Sequence, residues 1–452
     1  MHAWKKDERC IFHVDVNSAF LSWSALKALR EDPQSVDLRT IPSAVGGDVK
    51  TRHGIITAKS IPAKKYGVQT GEPVVKALQK CPGLVLVRSD FETYRSYSRA
   101  FISILREYTD LVEQVSIDEA YLDMTGCRDQ LKLPETQDQP WPLNAAHAIR
   151  LRVFRELGFT VNVGISTNKL LAKMASDFEK PDKVHTLFPE EVPAKMWPLP
   201  IRDLHGCGKA TEERLRQMGI ETIGDAAGMP EEVLKASIGE KAGSYIWRSA
   251  NGISMSLVHV SHEKAKSCSN EETTSEDINI DNYRTKGVEI VRRLSRKVAS
   301  RLERGGFYAQ TIGVNVKTGE FRRHSRQVTL ASPTRDPEVI TREAEALMDE
   351  LLSGEDGLFA SGEVLRLIGV GCSGLTDGSY LQMDLFSWAR TAEESARQKA
   401  EAEAKAAREK AEAEARAKER DKAEEKKRRL EAMLKKVRSR YGDDAIRTGD
   451  DI

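Results

Sequence analysis

Residues 114–125 read QVSIDEAYLDMT, and how this stretch folds decides the first half of the chain. LVEQVSI before the acidic pair is apolar and β-branched. AYLDMT after it alternates apolar and polar until TGC ends the run, so the spacing predicts two strands joined by a tight turn. Such turns normally take Asn-Gly or Asp-Gly. Asp118 and Glu119 supply no turn geometry, so their presence at the tip needs a chemical reason or none at all, as with acids solvated at a hairpin end.

Working outward, IFHV (11–14) predicts a short buried strand running into Asp15, and SAFLSWSALKAL has helical spacing. A Gly-rich, mixed segment covers about 40–75, followed by the strand LVLVRS. DFETYRSYSRAFISILREYTD predicts a helix capped by Asp90. After the hairpin come a Pro-rich loop (131–144), a helix to about 157, the strand FTVNVGIS and a helix from Asn168. The order is close to βαββαβ, a ferredoxin-like sheet with a long insertion after the first helix. In that sheet the first strand neighbours the central hairpin, which brings Asp15, Asp118 and Glu119 to one edge. Three converging carboxylates repel unless cations neutralise them, and their hard oxygens suit Mg²⁺.

The rest of the chain divides by composition. Residues 189–256 look helical, with LHGCGK near the start, and 265–376 turn strand-rich. From 389 to 428 the chain is almost pure Ala, Glu, Lys and Arg. It has no apolar seam, so a solvated single helix of about 60 Å is expected, ending in the stripe Leu430, Met433, Leu434 and Val437. The net charge of +1 conceals a block between 292 and 326 with ten basic residues and only Glu303 and Glu320 as acids. That block favours a polyanion. Six scattered cysteines form no CxxC pair, which argues against a zinc or redox motif. MHAWKKDERC lacks the apolar core of a signal peptide, and no run of about 18 apolar residues occurs, so a cytoplasmic setting without membrane contact is expected.

HVDVNSAF, SIDEAYLD, VGISTNKLLAKMASDFEKP and LHGCGKATEERLRQMGI stand in the order found in Y-family translesion DNA polymerases, and the chain most resembles the bacterial polymerase IV branch. The resemblance covers about residues 10–376. It implies an α+β, multidomain right-hand polymerase: a ferredoxin-like palm (1–19 and 86–176), small fingers (20–85), a helical thumb with a helix-hairpin-helix (177–257), a linker (258–264) and an α/β little finger (265–376). A clamp-binding peptide (377–388) and the charged helical tail (389–452) would follow. The implied activity adds deoxynucleotides to a primer 3′ end by two-metal phosphoryl transfer, distributively and with low fidelity, in damage tolerance.

Carried over residue by residue, the resemblance makes Asp15 and Asp118 bridges between two Mg²⁺ ions, with Glu119 on the catalytic one and the Val16 carbonyl on the other. Lys169 falls where a lysine would contact the incoming deoxynucleoside triphosphate, and Phe20 where an aromatic ring lies under the deoxyribose. The chain departs from the family at Ala19, where a second aromatic is frequent, and at Asn17, often Asp. Ile61 and Lys64 stand where a tyrosine and an arginine often hold the triphosphate; Lys64 keeps the charge without the bidentate fork. Gly206, Gly208 and Lys209 would bind a phosphate of primer-template DNA through backbone N–H groups. Arg322, Arg323 and Arg326 of the basic block would lie on its backbone.

YLQMDLFSW (380–388) looks like a bacterial sliding-clamp-binding peptide. Gln382 would anchor it by hydrogen bonds, and Leu385 and Phe386 would fill an apolar pocket. A monomer tethered to the clamp is the expected assembly. Two other readings share the palm logic: a nucleotidyl cyclase, and a catalytically inert DNA- and clamp-binding scaffold.

Overall fold

The computed structural model describes residues 4, 8–47, 54–136, 140–260, 265–378, 422, 424–436 and 439. The chain separates into two compact units, one of residues up to 265 with 273–276 and the other of residues 266–272 and from 277 on.

The first unit is organised by a five-stranded sheet of β1 (Ile11–Val16), β5 (Val112–Gln114), β6 (Glu119–Asp123), β7 (Val161–Ser166) and β8 (Val184–Thr186), in the order β5-β6-β1-β7-β8. Its first four strands have the ferredoxin-like arrangement, with β8 added parallel to β7. Side chains alternate across β1. Phe12, Val14 and Val16 join the main core with Tyr94, Phe101, Ile149 and Val153 of the helices Phe91–Arg106 and Trp141–Leu157. Ile11 faces the other way, packing with Tyr121 and with Ala172 of the helix Lys169–Asp177, and His13 bonds Ser176 of that helix. Asp15 follows in the same register. The expected caps form: Asp90 accepts from Thr93 N and Asn168 from Leu171 N.

The insertion lies between two helices, Ala19–Glu31 and Phe91–Arg106, and builds its own sheet from β2 (Ser43–Gly46), β3 (Ile56–Lys59) and β4 (Val85–Val87), in the order β3-β2-β4. Its core is small, chiefly Ala44, Ile56, Val68, Val74 and Leu84. Residues 189–250 are helical, and their core takes in Leu170, Leu171, Met174 and Ala175 from the palm helix.

In the second unit, β9 (Ser267–Ile278), β10 (Tyr308–Thr318), β11 (Arg323–Thr334) and β12 (Leu365–Thr376) form a sheet in the order β11-β10-β12-β9. The helices Val288–Gly305 and Pro337–Leu352 bury Leu294, Val298, Ile340 and Met348 against its inward residues Ile312, Val314 and Val370. Of the expected tail helix, residues 424–436 are described and helical, with Leu430 and Met433 exposed. Most of 389–428, and the peptide carrying Gln382, Leu385 and Phe386, lie outside the described residues.

Candidate active site and nucleic-acid contacts

The turn between β5 and β6 is made by Ser116. Its Oγ accepts from the backbone N of Asp118 (3.2 Å) and Glu119 (3.1 Å), and its hydroxyl donates to Asp118 Oδ1 at 2.6 Å. A serine turn therefore replaces Asn-Gly and leaves the two following positions open for carboxylates. Strand register does the rest. Asp15 pairs directly with Glu119 across β1 and β6, and Val16 N donates to Asp118 O at 2.9 Å. The three acids meet at one sheet edge, as expected.

Like charges in direct cross-strand register are unfavourable without a counter-charge. Two lysines supply it. Lys173 Nζ lies 2.8 Å from Glu119 Oε2 and 3.4 Å from Asp15 Oδ2; Lys180 Nζ lies 3.1 Å from Asp15 Oδ1. His13, fully buried, presents Nε2 3.4 Å from the same Glu119 oxygen. His13 and then Lys173 hold the Glu119 carboxyl down at about 2. Asp118 moves the other way: burial raises it first, Asp15 and Glu119 push further, and the Ser116 hydrogen bond only partly offsets them. Among the described residues no group of three or more His, Cys, Asp and Glu is set to hold a metal ion. The donor set itself, three carboxylates of which Asp15 and Glu119 share the lysine ammoniums, suits hard divalent ions.

The acids border two cavities. Asp15, Val16 and Asp118 line one of about 580 Å³, together with Phe20, Lys59, Ile61, Lys64 and Lys180. Phe20 is stacked on Tyr94 with centroids 4.6 Å apart and meets Phe91 edge-on, so its ring is fixed. Burial, and then repulsion from Lys64, lower the Lys59 ammonium, as expected where cations crowd around space for an anion. Glu119 lines the other cavity, of about 730 Å³, with Tyr121, Lys169, Lys173, Tyr245 and Arg248.

Lys169, expected from the resemblance to contact the incoming triphosphate, lines the cavity of Glu119 and not that of Asp15 and Phe20. Its ammonium is bound by both Glu113 oxygens at 2.7 Å, donates to Leu257 O at 3.3 Å and sits 4.7 Å above the Tyr121 ring. Lys180, eleven residues later in the same motif and past the helix end, lines the Asp15 cavity together with Lys59 and Lys64. Its loop is held by Asn17, whose Oδ1 accepts from Asp182 N and whose Nδ2 donates to Asn162. Asn17 is thus a structural residue, buried and fully engaged. Lys59, Lys173 and Lys180 were missed; the charge of EKP was legible, its position was not.

At Gly206 the backbone itself requires glycine. Its φ is +86°, and a Cβ there would lie 2.4 Å from the Tyr245 ring, so the glycine serves the turn and that packing. Gly208, the N-cap of Lys209–Gln217, has open space where a Cβ would go, so its backbone is approachable. Lys209 is exposed, with Glu213 at 3.7 Å. In the second unit the basic block is partly neutralised from within. Arg292 pairs with Glu345 and Arg293 with Glu272, both at 2.6 Å. Arg322 contacts Glu320 and Glu363, Arg323 lies 3.7 Å from Glu271 and Arg326 3.6 Å from Glu350, all three remaining largely exposed. Arg326 lines a groove of about 500 Å³ with Ser269, Asn315 and Gln327 on the sheet.

A ferredoxin-like palm, a small inserted sheet, a helical hairpin module and a separate α/β unit together define a right-hand polymerase. Family models match in the same order: the impB/mucB/samB family over residues 14–177, the IMS family HHH motif over 189–220 and the impB/mucB/samB family C-terminal domain over 265–385. The chain is 40% identical over 378 residues to the DNA polymerase IV of Clostridium acetobutylicum, covering 84% of this chain and 90% of that relative. It is 37% identical over 393 residues to DNA polymerase IV 1 of Bacillus subtilis (86% and 88%), and 30% over 447 residues to the DNA polymerase IV of Clostridium kluyveri (98% of each). A solved Y-family DNA polymerase chimera shares the fold at a TM-score of 0.68 and 22% identity, over 81% of this chain and 99% of that one. The chain belongs to the Y-family DNA polymerases, in their bacterial DNA polymerase IV branch. It is accordingly a DNA-directed DNA polymerase of the translesion type, working on primer-template DNA and deoxynucleotides with divalent metal ions. The cyclase and inert-scaffold readings are not favoured.

Proposed function

We propose that Asp15, Asp118 and Glu119, with the Val16 carbonyl, hold two Mg²⁺ ions for nucleotide addition. One observation carries this reading: the acids border two cavities, Asp15 and Asp118 lining one and Glu119 the other. The 580 Å³ cavity suits the incoming triphosphate and the larger one the primer end. Metal ions held between them would supply a nucleophilic oxygen at neutral pH and neutralise charge on the departing phosphates.

Within the first cavity Lys180, Lys59 and Lys64 neutralise the triphosphate, and the fixed ring of Phe20 occupies the space a 2′-hydroxyl would need. Lys169 secures the segment after the thumb: Glu113, which it pairs with, also accepts from His259 N at 2.8 Å. Gly208, Lys209 and the exposed arginines 322, 323 and 326 contact duplex phosphates, a mode that weakens steeply with salt. The three-stranded fingers sheet has little core with which to enclose a nascent pair, which supports low fidelity and distributive synthesis. The two-unit division at 265/266 supports the start of the little finger.

Gln382, Leu385 and Phe386 tether a monomeric enzyme to a sliding clamp, which raises effective concentration at the primer end. The setting is cytoplasmic; no helix among the described residues is long and apolar enough to cross a membrane. Primer extension with Asp15→Ala, Asp118→Ala and Glu119→Ala, each checked for fold and DNA binding, tests the site. Each should lose nucleotide addition while still binding DNA; addition at near wild-type rate by any of them refutes its assignment.

A further inference from the structure

Lys173 sits between Asp15 and Glu119 with its side chain only 14% exposed. Its helix lies close on β7 because Gly164 has no Cβ; one would fall 2.0 Å from Ala172 O. From there the ammonium reaches Glu119 and Asp15 at 2.8 and 3.4 Å, with Asp177 at 3.7 Å. The known reaction assigns nothing to this cation.

We propose that Lys173 is a positioning residue: a built-in counter-cation that holds Asp15 and Glu119 together when divalent ions are absent and that an incoming metal must displace from Glu119. The inference rests on the metal-ligand reading above. Asp15 and Glu119 are register partners, and without a cation between them their repulsion would spread the two strands apart. With Lys173 in place the edge keeps its shape without metal. The cost falls on metal affinity, because an oxygen bound to an ammonium at 2.8 Å is a weaker ligand and the displaced charge still repels the ion. Lys173 thereby exchanges tight metal binding for a preformed, reversibly loaded site.

The test uses the full chain without DNA or nucleotide. Mn²⁺ binding is followed by electron paramagnetic resonance for wild type, Lys173→Gln, Lys173→Arg and Asp118→Ala, and thermal unfolding is measured in EDTA and in saturating Mn²⁺. Lys173→Gln should bind Mn²⁺ about tenfold more tightly, the scale expected for removing one nearby like charge. It should melt below wild type in EDTA and close that gap in Mn²⁺, while Lys173→Arg stays near wild type. A Gln variant unfolded in EDTA but folded by Mn²⁺ supports the proposal equally. Unchanged or weaker Mn²⁺ binding, or a variant that stays unfolded in Mn²⁺, overturns it. If Asp118→Ala binds Mn²⁺ as wild type does, the metal reading itself is wrong and the proposal falls with it. A wild-type-like Lys173→Gln beside a deficient Asp118→Ala sinks the proposal alone.

Discussion

Asp118→Asn should make the metal-free protein more stable while destroying its activity. The two lysines reach Asp15 and Glu119, whereas the hydrogen-bond partner of the Asp118 side chain is the Ser116 hydroxyl, which an asparagine oxygen can equally accept. Burial and two neighbouring acids raise Asp118, so its ionised form is a net burden on the fold at neutral pH. Two unit charges about 5 Å apart, at an effective dielectric between roughly 20 and 80, repel by about 1–3 kcal/mol. After partial compensation by the lysines, a gain of about 1 kcal/mol is expected, or roughly 2–4 °C in melting temperature for a unit of this size. The pH dependence fixes the sign. A carboxyl raised by folding binds its proton more tightly in the folded state, so wild type recovers stability as pH falls below that raised value. The advantage of Asn should therefore be full at pH 7 and vanish below the unfolded carboxyl pKa of about 3.9. Adding Mg²⁺ should favour wild type only, by mass action. Thermal unfolding in EDTA from pH 3 to 8, with and without Mg²⁺, alongside primer extension, measures all of this. An Asn variant less stable than wild type in EDTA at pH 7, or one that adds nucleotides at more than about a hundredth of the wild-type rate, refutes the reasoning.

Phe20→Ala should remove the ring held on Tyr94 and let CTP compete with dCTP; unchanged discrimination in single-nucleotide insertion would leave Phe20 as packing alone. Lys180→Ala should raise KM for deoxynucleotides about tenfold or more, whereas Lys169→Ala should leave that KM near wild type; the reverse pattern would restore the original assignment of Lys169. Gly164→Ala forces a Cβ against helix backbone and should destabilise the first unit by about 3 kcal/mol in chemical denaturation; a loss under about 1 kcal/mol would show that the helix can move aside. Changing Leu385 and Phe386 together to Ala should abolish clamp-stimulated synthesis and spare basal synthesis, and surviving stimulation would put the tether elsewhere, for instance in the stripe from Leu430.

What the sequence determined by itself was local or carried by ordered motifs. Alternation around Asp118 and Glu119 required a hairpin, Asp90 and Asn168 announced their helices, and the order of four motifs defined the polymerase class. The βαββαβ order was enough to bring Asp15 to the acidic pair, because neighbouring strands in that sheet follow from chain order. Side-chain destinations were another matter. Lys169 and Lys173 are one helical turn apart, about 6 Å along the axis, and that distance separates an anchor on Glu113 from a counter-charge on Glu119. Lys180 reaches Asp15 only because its loop turns back onto Asn17, a contact between residues 165 apart in sequence. Gly206 is packed by Tyr245, 39 positions later, and the basic block loses much of its charge to Glu345, Glu272 and Glu350 from distant elements. In each case the sequence supplied the charge or the glycine, and only the tertiary structure chose its partner. Pairing depends on which faces meet after packing, and a side chain 6 Å long can be satisfied by whichever neighbour the fold brings first.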